Sequence, residues 1–276
     1  MPLTLTLHQP PAQLLEVEGL TPDWTRGRSL TEIERFEVFE GNRRLPLAEF
    51  FHVSGDAADE CINFSGDLSR VHWIGAQMAT GRIHIDGPAG RHVGSQMRGG
   101  RLIAGGHCGD YAGTEMIGGS LEIHGNAGAL TGGAYRGSTK GMTGGTIIVH
   151  GQTGDECGAF MRRGMIAIAG SCGDFPGYHM IAGTIAVSGP SGRYPGAGMK
   201  RGTIALLHDT RPPLLPSFTF AASLSLQSQA LLLRRLTRLG FAQAQICSSK
   251  VDMFRGDAVT RGLGEILFTA DSSCSE

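Results

Sequence analysis

Between Gly81 and Gly202, apolar residues recur in pairs two positions apart: Ile83 with Ile85, Ile147 with Val149, Ile166 with Ile168, and Ile185 with Val187. Period two is the signature of a strand that buries one face. The pairs themselves recur. A glycine opens each segment at Gly81, Gly100, Gly119, Gly145, Gly164, Gly183 and Gly202, so the spacing is 19 residues except for one of 26. The longer segment, 119–144, carries a single insertion of seven residues. Nineteen residues are too few for a strand–helix–strand unit with its loops. They suit three short strands and three bends, one coil of a parallel β-helix, in which like residues stack at about 4.8 Å from coil to coil. The expected fold is therefore an all-β solenoid, and the general preference of crossover connections favours a right-handed winding.

Other columns repeat in phase. Gly90, Gly109, Gly128, Gly154, Gly173 and Gly192 form one, and Gly94, Gly113, Gly132, Gly158, Gly177 and Gly196 another. Glycine at a fixed corner implies either a positive φ or a close backbone approach. Met97, Met116, Met161, Met180 and Met199 make a methionine column, which Met142 joins once the insertion is removed. Stacked thioethers read as a core ladder. An upstream half-coil is visible at Gly75 and Met78, while Gly66-Asp67 is out of phase by two.

A solenoid exposes strand edges at both ends and needs caps. Residues 1–60 read as a small α+β cap: Leu3, Leu5 and Leu7 alternate, Ser29 and Glu32 form a capping box, and Gly41-Asn42 marks a turn. Residues 61–210 are the expected β-helix. Residues 211–276 form the second cap, with a stiff Arg211–Pro216 linker and an amphipathic helix over Leu224–Leu239 stopped by Gly240.

Composition sharpens this picture. Residues 81–202 hold 33 of the 43 glycines, so the excess belongs to the repeat. The charge balance of 24 Lys+Arg against 25 Asp+Glu argues against a nucleic-acid surface, and no apolar run approaches the ~20 residues of a spanning helix. The start carries no basic, secretion-type region, and the six cysteines include no CxxC. A reduced cytoplasmic setting with free thiols is expected.

Stacking brings like residues of neighbouring coils together, which makes each polar column a candidate for chemistry. His124 and His150 fall in one column of neighbouring coils, but the column's other members, Asp86, Gly105, Ala169 and Ser188, bring no third ligand into phase, so no metal site is expected. Asp110, Asp155 and Asp174 follow the corner glycine, where an Asp side chain bonds turn N–H groups. Cys108 and Cys172 share a column three coils apart, too far for a disulfide. No catalytic residue and no cofactor-binding motif emerges. The insertion is the most informative local feature, because solenoid insertions gather on one face and that is often the binding face. Tyr135, Arg136, Ser138, Thr139 and Lys140 are placed on its tip as a partner-contact loop.

The pattern GxIxIxGxxGxxxGxxMxxG resembles the C subunits of formylmethanofuran dehydrogenase and of the bacterial formyltransferase/hydrolase complex. The same solenoid type forms the carboxy-terminal domain of glutamate synthase. Two flanks extend the likeness over nearly the whole chain: IERFEVFEGN at 33–42 followed by LAEFFHVSG at 47–55, and FRGDAVTRGLGEIL at 254–267. The resemblance implies a non-catalytic scaffold. Its expected partners are a formyltransferase subunit, an amidohydrolase-like subunit with a metal centre, and a further dehydrogenase-like subunit. A methanofuran-type carrier is expected in those partners, with no cofactor in this chain. In the dehydrogenase, partner subunits would instead use a tungsten or molybdenum pterin. A free-standing β-helix enzyme acting on polysaccharide is the rival reading.

Overall fold

The structure, a computed structural model, describes residues 1–224 and 250–269. The amino-terminal part contributes β1 (Leu3–Leu7), β2 (Leu15–Glu16), α1 (Pro22–Thr25), α2 (Leu30–Glu34), β3 (Glu37–Glu40), β4 (Arg43–Pro46), β5 (Phe51–Ser54), β6 (Cys61–Ser65) and β7 (Val71–His72). The expected capping box is present at α2: the Ser29 hydroxyl accepts the Glu32 N–H, and the Glu32 carboxylate accepts the Ser29 N–H. Strands β4, β3, β2 and β7 form a small sheet.

The repeat supplies β8 (Arg82–Ile85), β9 (Arg101–Ala104), β10 (Ser120–Ile123), β11 (Thr146–Val149), β12 (Met165–Ile168), β13 (Thr184–Val187) and β14 (Arg201–Leu206). Each pairs in parallel with the next, in the register of the glycine period, so Ile147 meets Leu121 on one side and Ile166 on the other. A second line of contact runs through single parallel bridges linking Leu68, Ala89, Cys108, Ala127, Thr153, Cys172 and Ser191. A third is made by the N–H groups of Gly94, Gly113, Gly132, Gly158, Gly177 and Gly196, which donate to carbonyls one repeat earlier at 2.7–2.9 Å. Backbone polar groups of each repeat are thus satisfied by its neighbours.

The two glycine columns do different jobs. Gly94 and its equivalents have φ between +61° and +72°, the left-handed region. Gly90 and its equivalents lack positive φ and are there for clearance: a Cβ at Gly154 would lie 2.7 Å from the Ala129 nitrogen of the preceding repeat.

The inward Ile, Leu and Val side chains and all seven methionines of the column, Met78 included, are fully buried. Each such side chain contributes about 1.5–3 kcal/mol by leaving water. From β11 onward the opposite side is buried as well, through Ile148, Ala167, Ala186 and Ala205.

Thirteen strands form the large sheet, which ends in β1 and β5 on one side. On the other it ends in β17 (Leu263–Thr269), β16 (Val251–Gly256) and β15 (Thr219–Leu224). β17 pairs in parallel with β14, and its Ile266 falls opposite Ile204. The fold is β-rich, with little helix among the described residues. The helix expected over Leu224–Leu239 lies outside the described residues apart from Leu224, the last residue of β15. The tripeptide Arg255-Gly256-Asp257 has a structural use: the buried Asp257 carboxylate accepts the Gly198 N–H at 3.0 Å and so joins this flank to the last repeat. Among the described residues, Cys61, Cys108, Cys157 and Cys172 are free thiols, and no helix is long and apolar enough to cross a membrane.

Candidate interaction site at the inserted loop

The insertion leaves and rejoins the repeat without disturbing it. In uninterrupted repeats the Met N–H donates to the glycine three residues earlier, as Met116 does to Gly113 at 3.1 Å. Met142 makes the same bond at 3.1 Å, but to Gly132, which lies ten residues back. The seven extra residues are therefore looped out, and Met142 takes its place in the core. The loop holds itself through Ser138 N–H to Tyr135 O at 2.9 Å and Lys140 N–H to Ser138 Oγ at 3.2 Å. Arg162 of the next repeat donates to Thr139 O at 3.3 Å.

Tyr135 departs from the expectation that it sits exposed on the tip. Its ring turns back onto Trp73, His92 and Tyr111, with centroids 6.2, 5.7 and 5.5 Å away. Its hydroxyl meets Ser95 Oγ and lies 3.1 Å from His92 Nδ1. The physical reason is a ready-made ring platform. Trp73 stacks on His92 at 4.0 Å and 7°, and His92 on Tyr111 at 4.9 Å and 9°, matching the spacing of successive repeats. All three hold φ near +65°, a conformation costing about 1–2 kcal/mol in a bulky residue. Their N–H groups each donate to the following repeat at 2.9–3.0 Å, which holds them there. Trp73, His92 and Tyr111 went unnoticed in the sequence although their 19-residue spacing was the available signal.

Arg136, Thr139 and Lys140 remain exposed, and Ser138 is half-buried. Together they edge two grooves. One, of about 490 Å³, is lined by Leu130, Arg136, Ser138, Thr139, Glu156 and Phe160. The other, of about 240 Å³, is lined by Gln96, Arg98, Glu115, Ile117 and Lys140. Each groove combines a cation, a carboxylate and apolar surface, a composition suited to a protein contact.

Beneath the loop, burial, reinforced by the charges of His72 and Arg91, pushes the His92 imidazole down from 6.5 to about 4, against a smaller upward pull from Asp110. Burial likewise pushes the Tyr135 phenol up to about 12. The neutral imidazole is thus part of the folded state. Since the unfolded chain binds the proton more tightly, this stability is present above pH 6.5 and is lost as pH falls through about 4. After discounting for solvent screening, the loss is about 1–2 kcal/mol. Urea denaturation from pH 7 to 4 should show this slope, and His92→Asn, which tolerates the left-handed backbone, should flatten it.

The other columns also resolve. Asp110, Asp155 and Asp174 accept N–H groups of the following repeat, those of Ala129, Asp174 and Arg193, at 2.7–3.0 Å. The expected turn bonding therefore runs between repeats. Hydrogen bonds from the Arg193 side chain and backbone hold the Asp174 carboxyl below its usual range. His124 and His150 lie with ring centroids 5.2 Å apart. Their own column supplies no third ligand, but Glu122, two residues before His124, reaches both, a diagonal neighbour that a column-by-column reading passes over.

No protein-family model matches the chain. It is 42% identical over 83 residues to the C subunit of the molybdenum-containing formylmethanofuran dehydrogenase 1 of Methanosarcina barkeri, a match covering 29% of this chain and 28% of that one. It is 38% identical over 95 residues to the C subunit of the tungsten-containing dehydrogenase 2 of Methanothermobacter thermautotrophicus, covering 33% and 35%. The matched stretches thus span about a third or less of these relatives' lengths. A chain in the crystal structure of the formyltransferase/hydrolase complex of Methylorubrum extorquens, in complex with methylofuran, superposes with a TM-score of 0.90. That alignment is 35% identical and covers 97% of this chain and 100% of that one. The protein belongs to the family formed by the C subunits of formylmethanofuran dehydrogenases and formyltransferase/hydrolase complexes.

Proposed function

We propose that this chain is a non-catalytic scaffold subunit of a cytoplasmic formyltransferase/hydrolase complex. Such a complex carries formyl groups from formyl-tetrahydromethanopterin, through a formylmethanofuran-type carrier, to formate in formaldehyde oxidation. The observation that carries this reading is the match over 97% of the chain to a chain of the Methylorubrum complex. The stacked aspartates support it, because their carboxylates are committed to bonds between repeats and, at Asp174, to Arg193. That commitment disfavours a polysaccharide-cleaving acid pair. Membership of a molybdenum or tungsten dehydrogenase is the second reading, favoured by the 42% identity over a shorter stretch.

In this proposal residues 61–210 wind as a right-handed parallel β-helix, supported by the three lines of inter-repeat contact. Residues 1–60 and 211–276 cap its ends, consistent with the antiparallel pairing of β5 with β1 and of β16 with β17. A rigid ladder of this kind holds partner subunits at fixed separation. The partners are a formyltransferase subunit, an amidohydrolase-like subunit bearing a metal centre, and a dehydrogenase-like subunit. Arg136, Ser138, Thr139 and Lys140 meet one of them, with Tyr135 as the anchor that sets their position.

The test is formyl transfer and formate release by the purified chain alone and in the assembled complex. Turnover is expected only from the complex. Turnover by the homogeneous chain would overturn the proposal.

A further inference from the structure

We propose that Glu122, His124 and His150 form a binding site for one divalent transition-metal ion of the zinc class, on the outer face of β10 and β11. Glu122 and His124 are two residues apart at the end of β10 and so project to the same side. His150 occupies the position of His124 one repeat later, since Ile123 pairs with Val149 across the parallel ladder. Three side chains at the corners of a small triangle thereby converge.

Their geometry is that of a ligand set. Both imidazole Nε2 atoms lie 3.3 Å from the same oxygen, Glu122 Oε1. Two donors on a tetrahedral zinc ion, with bonds of about 2.0–2.1 Å, sit about 3.3 Å apart. All three donor atoms lie within 4.8 Å of one another. The second carboxylate oxygen is bonded to Arg101 at 3.0 Å, which fixes the carboxylate and leaves Oε1 turned toward the imidazoles.

The ring orientation is a separate indication. Trp73, His92 and Tyr111 stack from repeat to repeat within 9° of parallel, and Phe175 and Tyr194 of the same column are tilted by 36°. The planes of His124 and His150 stand at 85°, steeper than either arrangement. In this orientation both Nε2 atoms face the same carboxylate oxygen, Glu122 Oε1. Side-chain exposures of 51% for His124, 31% for His150 and 17% for Glu122 leave that point open to solvent. A fourth position remains for water or for a ligand from another chain. Two imidazoles and one carboxylate favour zinc, nickel, cobalt or copper over magnesium or calcium.

The test is titration of the full-length chain with Zn²⁺ by calorimetry and with Co²⁺ by visible absorbance, alongside His124→Ala, Glu122→Gln and a control, His84→Ala. Among the described residues, the one ion pair of His84 is with Asp86, at 3.0 Å. The expected result is one ion per chain, a tetrahedral cobalt spectrum, and affinity reduced about tenfold or more by each ligand variant. The control should bind as the parent does, and circular dichroism melts should show that the variants fold. Sub-stoichiometric binding, or equal affinity in parent and ligand variants, would overturn the proposal by making the triad a purely hydrogen-bonded cluster.

Discussion

Gly119→Ala should destabilise the protein by about 2–5 kcal/mol, while Gly137→Ala should cost only about 1–2 kcal/mol. Both glycines have φ near +85°, at +84° and +87°, so the left-handed strain of a side chain is common to both. They differ in what surrounds them. A Cβ at Gly119 would lie 2.8 Å from the backbone oxygens of Gly99 and Gly100, one repeat earlier. A Cβ at Gly137, on the inserted loop, meets nothing within 4 Å. The neighbouring backbone at Gly119 is held by the Ser120 N–H bond to Gly100 O at 3.0 Å and the Gly99 N–H bond to Met78 O at 3.2 Å, and cannot yield without opening these contacts between repeats. Urea denaturation midpoints of the two variants measure the difference directly. Equal, small losses at both sites would mean that the repeats are not packed backbone to backbone.

Met142→Ala should cost about 2–5 kcal/mol, and Met142→Leu less than about 1.5 kcal/mol. Met142 is fully buried, and its carbonyl accepts the Arg162 N–H at 2.8 Å, the bond Met97 makes to Ile117. The prediction tests register. If the seven extra residues were spread through the repeat, Met142 would leave the core and its truncation would be nearly neutral. A large loss for Ala with near-recovery for Leu shows that the thioether fills volume and contributes no special chemistry.

The period of the glycines was enough to read the repeat, its strands, the methionine column and the looped-out insertion. Each of these depends on a residue and its equivalent 19 positions away, which is information lying along the chain. What escaped lies across it. Tyr135 looked like a surface residue because the platform under it comes from three different repeats, assembled only by stacking. Glu122 was missed because it stands diagonal to His124 and His150, outside their column. Strand β17 carries no glycine period, and its pairing with β14 joins Arg201 to Leu263, a contact no local pattern announces. Conversely, the Ser29–Glu32 capping box was legible because all its atoms belong to one helical turn.

The scaffold account places this chain inside an assembly, and its composition in that assembly is the property to measure. Native mass spectrometry of the protein, purified by an affinity tag from its own cells, tests this most directly. The account predicts stable co-purification with subunits of formyltransferase and amidohydrolase type at fixed stoichiometry. A monomer or homo-oligomer as the sole species would contradict it.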